Sequence, residues 1–174
     1  MAKIVGHALC VVGQDLTAVD GPSTDTGANG LGQRNTLGVR VFDDAGAEYI
    51  YMSGVASLVA ADWVRYNHLS AASPFLTARV NNDAIPGAVA VAMAAPVAVT
   101  SFGWFQIWGL VLSANLTTGS IDGDTISLST TAGRCSGAAT ATKVVFGATA
   151  VGAAASNLGK VFITYPYTFG ADPV

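Results

Sequence analysis

Charge is what this sequence has least of. Only 11% of its 174 residues are Asp, Glu, Lys or Arg, against roughly 25% in ordinary soluble domains. The eight basic residues are scattered from Lys3 to Lys160 without a run, and the net charge is −3. Nucleic-acid binding needs clustered Lys and Arg to displace counterions from phosphates, so no nucleic-acid partner is expected, and no docking on an anionic membrane. Histidine is limited to His7 and His68 and cysteine to Cys10 and Cys135, with neither CxxC nor HxxxH spacing. That pattern offers no metal site and no cofactor. The two cysteines are read as buried, reduced thiols, with a disulfide as the alternative.

Targeting and helix signals are also scarce. Met1-Ala2-Lys3 followed by Ile4–Gly13 imitates a short signal peptide, yet His7 interrupts it and Gln14-Asp15 stands where a small-residue cleavage site belongs. A first β-strand is the better reading. No charge occurs between Asp83 and Asp122, but a spanning helix needs about 20 helix-compatible apolar residues. Pro86 and Pro96 would break such a helix, and Gly87, Gly103 and Gly109 would weaken it. Ser57–Trp63 and Ala148–Ser156 carry the only helix-like spacing and are read as loops or strand edges.

Catalytic patterns fail on context. Gly27-Ala28-Asn29-Gly30-Leu31-Gly32 has the order G-x-x-G-x-G, without the Lys of a P-loop or a following helix, so it does not cradle a phosphate. Asp43-Asp44 and the pair Asp122 and Asp124 lie in hairpin turns, where Asp bonds its own backbone. Calcium at Asp122 and Asp124 would need further oxygen ligands at fixed spacing. No G-x-S-x-G elbow supports a Ser–His–Asp site, and Asn115-Leu116-Thr117 matters as a sequon only in a secreted chain. The chain is read as a non-enzyme.

What the sequence does contain is apolar and small. Hydrophobic residues make up 51% and Gly contributes 20, and mean hydropathy is +0.48. Small side chains bury little area each, and few charges keep surfaces apart. Such a chain is expected to be covered by copies of itself or by another protein. Ala88–Met93 alternates small and large, with Val89, Val91 and Met93 on one face and the alanines on the other. Trp104, Gln106 and Trp108 share a face of a further strand, opposite Phe105 and Ile107, so this strand is buried on both sides or covered by a partner. Asp43-Asp44-Ala45-Gly46 predicts a hairpin between Leu37–Phe42 and Glu48–Met52, and Asp122-Gly123-Asp124 a turn before Thr125–Ser129. A last strand is predicted over Gly159–Tyr165, closed by Pro166. Strands at roughly 8–12-residue intervals predict a single all-β domain, an antiparallel β-sandwich or barrel.

Two segments stand apart. Val19–Asn35 is polar and Gly-rich and reads as a long loop or arm ordered by a partner. Residues 1–36 are therefore assigned to an N-terminal strand plus arm, and 37–174 to the β-domain. Within the arm, Thr24, Asp25, Asn29 and Leu31 are contact candidates. Tyr165-Pro166-Tyr167-Thr168-Phe169 reads as an aromatic tail beyond the last strand, and Tyr165, Tyr167 and Phe169 complete the candidate contact set.

The order of motifs over residues 37–167 resembles a family. It runs from the Asp44–Tyr51 hairpin through Val55–Ala61, Trp63–Tyr66, the Ala/Val strand Ala88–Ala94, and Trp104-Phe105-Gln106-Ile107-Trp108-Gly109. Gly123-Asp124-Thr125-Ile126, the Ala/Thr/Gly-rich Ala138–Ala155 and Val161–Pro166 complete it. It is similar to small head decoration, or cement, proteins of tailed bacteriophages. The resemblance implies a non-enzymatic clamp on the outer surface of the capsid, made in the host cytoplasm and carried on the virion. The implied partners are the major capsid protein and the chain itself, with a trimer favoured over a dimer. Another phage structural protein, a head fibre or tail component, is the alternative, as is a carbohydrate-binding or adhesin β-domain.

Overall fold

The computed structural model describes residues 15–21, 35–67, 75–81, 85–117, 119–137 and 143–169. They are all-β, with no helix among the described residues. Ten strands follow in order: β1 (Arg40–Phe42), β2 (Glu48–Ser53), β3 (Trp63–Asn67), β4 (Leu76–Arg79), β5 (Gly87–Ala92), β6 (Phe102–Asn115), β7 (Thr125–Leu128), β8 (Cys135–Ser136), β9 (Val144–Ala155) and β10 (Leu158–Thr168). The sheet runs β1-β2-β6-β5-β10-β9-β7-β8, with β3 pairing β4 and β5. Every ladder between these strands is antiparallel.

The hairpin expected at Asp43–Gly46 forms as β1–β2. Asp43 ties its own turn, accepting from the backbone N–H of Ala45 (3.0 Å) and Ala47 (2.8 Å) and from the Tyr49 hydroxyl (2.8 Å). Gly46 supplies the positive φ of 83° that closes the turn. The Asp122–Asp124 turn is tied in this way by Asp124, whereas Asp122 reaches across to β9. Asp122 accepts from the Gly152 N–H at 2.9 Å and Asp124 from the Ile121 N–H at 2.8 Å.

Three strands fork at the centre. β6 pairs with β5 through Gln106 and Phe105, then leaves it. From Trp108 to Asn115 it pairs instead with Thr164–Leu158 of β10. The far end of β10 returns to β5 through Tyr167 and Thr168. This curvature makes both sides of the central strands interior. Val89 and Val91 enter one core cluster with Trp63, Val111, Ile126, Val161 and Ile163. Ala90 and Ala92 enter a second, with Ile50, Met52, Phe105 and Ile107. Trp104 and Tyr51 lie in a third, with Leu16, Val41 and Phe102. The period-two reading of Ala88–Met93 and of Trp104–Ile107 thus meets a strand buried on both faces.

Two differences from expectation have physical reasons. β10 runs through Pro166 to Thr168, so Tyr165 and Tyr167 belong to the sheet and only Phe169 follows it. Proline is tolerated there because the β9–β10 ladder skips from Ile163 to Tyr167, and no N–H is needed at position 166. Ala148–Ser156, read as a loop or strand edge, lies mostly in β9. The boundary at 36/37 also cuts through packed structure. Leu16 is buried in the third cluster, and Asp20 pairs with Phe102 of β6 and accepts a short hydrogen bond from the Tyr51 hydroxyl.

Tyr49 makes stability pH-dependent. Burial, reinforced by its hydrogen bond to Asp43, raises its pKa above the usual 10.0. The folded state therefore holds the phenol proton more tightly than the unfolded chain. Its contribution is complete below about pH 10 and is lost as pH rises further. The urea midpoint should fall between about pH 10 and 11.5. Tyr49→Phe should flatten that slope, and an unchanged slope in the variant would remove Tyr49 as its cause.

Candidate functional site

The outward side of β6, β10 and β9 follows from the register. Residues directly opposite in an antiparallel ladder share a face. Leu110 faces Phe162, and Trp108 faces Thr164. Phe162 faces Thr149, and Lys160 faces Val151. The alternate set, Val111, Val161, Ile163, Ala148 and Ala150, fills the core. An ordinary half-buried sheet would carry polar residues outward. Here Thr149, Thr164 and Lys160 share the outward side with large apolar residues: Leu112 is 70% exposed, Phe162 44%, Leu110 42% and Leu158 45%. Lys160 is the one charged residue in these three strands.

Aromatic rings continue this side along β10. Trp108 packs edge-on to Phe162 (6.5 Å between centroids) and against Tyr165 (5.1 Å). The Tyr165 hydroxyl donates to buried Glu48 at 2.5 Å, and Arg40 meets the same carboxylate at 3.4 Å. The hydrogen bond to Glu48 is the main reason the Tyr165 phenol titrates above its ordinary range. Beyond it, Phe146 stacks on Tyr167 at 5.4 Å, and Phe169 packs edge-on to both at 5.0 Å. Tyr165 has a φ of 47°, so its backbone sits in the left-handed region at the β10 irregularity. That conformation turns consecutive residues of β10 outward and lengthens the aromatic row.

Of the candidates read from sequence, Tyr165, Tyr167 and Phe169 lie in these aromatic clusters. Thr24, Asp25, Asn29 and Leu31 fall outside the described residues. Sequence reading missed Leu110, Leu112, Phe162 and Phe146. The available signal was Phe162, an aromatic residue out of phase with buried Val161 and Ile163.

Asp62 is fully buried between Arg79 and Asn115. Cys135 is a free thiol whose pKa burial pushes up, and Cys10 lies outside the described residues. Among the described residues no group of three or more His, Cys, Asp or Glu could hold a metal ion. No helix among them is long and apolar enough to cross a membrane.

Fold and face together define an all-β protein with an apolar, sparsely charged outward side. Comparison with protein-family models, with curated proteins and with solved structures gives no match.

Proposed function

We propose that this chain is a virion structural protein that decorates and stabilises the outer surface of a tailed-phage capsid. Its partners are the major capsid protein and further copies of itself, with a trimer favoured. The observation that supports the reading is the apolar outward side of β6, β10 and β9, exposed hydrophobic surface at the upper end of what a free monomer carries. The resemblance in motif order over residues 37–167 is the support for reading that assembly as a phage head. A clamp that touches several subunits gains avidity through effective concentration. One that binds only the expanded lattice stabilises that lattice by linkage.

The test mixes purified protein with expanded capsids that lack it. Co-sedimentation, regular density on the imaged particle and a raised capsid melting temperature are expected. Absence of binding at micromolar concentration would refute the reading. Alanine at Thr24, Asp25, Asn29 and Leu31 should weaken binding without changing the chain's own melting. A chain starting at residue 37 tests the arm less cleanly, because it also loses Leu16 and Asp20 from the packed domain. The Phe146–Tyr167–Phe169 cluster favours a second reading, a carbohydrate-binding surface, since exposed rings stack on sugars. Glycan binding without capsid binding would select it.

A further inference from the structure

We propose that the outward side of β6, β10 and β9 is the surface through which this chain associates with a second copy of itself. The inference deepens the reading above by assigning its self-association to one face.

Area is the first argument. Leu110, Leu112, Val151, Leu158, Phe162 and Tyr165 are each between 37% and 70% exposed on this side. Together they leave on the order of 500 Å² of apolar surface in water. That equals a large patch for a monomer, about 300–600 Å². With the neighbouring Phe146, Tyr167 and Phe169 it approaches the roughly 800 Å² per partner of a stable interface.

Charge is the second argument. The three strands carry one cation, Lys160, whose cross-strand neighbour is Val151. The next residue, Gly152, donates its N–H to exposed Asp122 at 2.9 Å, so the acidic turn Asp122-Gly123-Asp124 flanks the same region of β9. A cation and an acidic turn thus border one apolar area. Rotation about a closed symmetry axis can set Lys160 of one copy against the acidic turn of the next.

Shape agrees with charge. A shallow groove of about 390 Å³ is lined by the large side chains Leu112, Val151, Leu158 and Lys160 and by the small residues Gly152, Ala153, Ala155 and Gly159. Leu112 is the most exposed large apolar side chain among the described residues. Leu112 projects from the lining of this groove, and the small residues in the same lining leave room beside it for the Leu112 of a second copy.

Sedimentation of the full chain alone, without capsids, provides the test. The native protein should be an oligomer at micromolar concentration. Leu112→Asp and Phe162→Asp should each weaken association at least 100-fold while keeping the β-type circular dichroism and the melting of the monomer. Lys160→Glu should weaken it about tenfold, and added salt should shrink that difference. A monomeric native chain overturns the inference, as does an oligomer indifferent to Leu112→Asp and Phe162→Asp. Loss of capsid binding with the oligomer intact sinks the decoration reading and leaves this face assigned. A monomer that still binds capsids does the reverse.

Discussion

Asp62→Ala should cost the domain about 3–5 kcal/mol, the largest loss of any single exchange considered, because it strips the partner from a buried charge. Asp62 has no exposed surface. Its Oδ2 lies 2.8 Å from Arg79 Nε, and it also accepts from the Val59 N–H at 3.2 Å. Its Oδ1 accepts from Asn115 Nδ2 at 2.9 Å. The chain of contacts continues outward: Arg79 donates to the Ala132 carbonyl at 2.7 Å, and Arg134 to Asn115 at 3.1 Å and to Asn157 at 3.3 Å. Asp62 therefore joins the β2–β3 loop, β4, the end of β6 and the turns after β7 and β9. Alanine leaves a mostly buried guanidinium without its counter-charge and the Asn115 amide without its acceptor. Asp62→Asn keeps the shape and should lose less. Arg40→Ala, at a pair whose cation is half exposed, should lose under about 1 kcal/mol. Urea unfolding at constant m reads all three, and a cost below about 1 kcal/mol for Asp62→Ala would remove this network from the account of stability.

Gly147→Ala is the second large effect. Gly147 has a φ of 74°, and a Cβ there would lie 2.6 Å from the Thr164 carbonyl oxygen and 3.0 Å from Thr164 Oγ1. The left-handed backbone costs an L-residue about 1–2 kcal/mol, and overpacking against a neighbouring strand about 1–3 more. A total near 3 kcal/mol is expected. Gly46→Ala is the control, since its φ is 83° with nothing within 4 Å of the added carbon. It should cost only about 1–2 kcal/mol. The clash at Gly147 pushes on Thr164, next to Tyr165, so near-ultraviolet circular dichroism from the Trp108–Tyr165 contact should change as well. Equal costs for the two alanines would mean that β9 and β10 do not meet as closely as this.

The sequence alone carried whatever depends on neighbours along the chain. Alternation in Ala88–Met93 and Trp104–Trp108 declared strands, because side chains in extended backbone point to opposite faces regardless of what covers them. Asp43–Gly46 and Asp122–Asp124 declared turns, because Asp ties nearby N–H groups and Gly takes positive φ locally. The all-β class follows from those signals, and the paucity of charge already suggested a covered surface.

Which surface is left uncovered depended on partners distant in sequence. Pro166 ends a strand on local rules, yet β10 continues past it because β9 skips the positions that would need its N–H. Ala148–Ser156 has helix-like spacing too short to fix a state, and pairing with β10 places most of it in a strand. Asp62 and Arg79 meet across β3 and β4, a contact no spacing announces. The same holds for Tyr165 and Glu48, 117 residues apart. The fork of β5, β6 and β10 buries one set of apolar residues on each side at the centre and leaves Leu110, Leu112 and Phe162 in water farther along. A strand that is apolar on both faces looks the same in sequence whether a second layer of its own fold or another chain covers the second face. Only the course of the other strands decides between them.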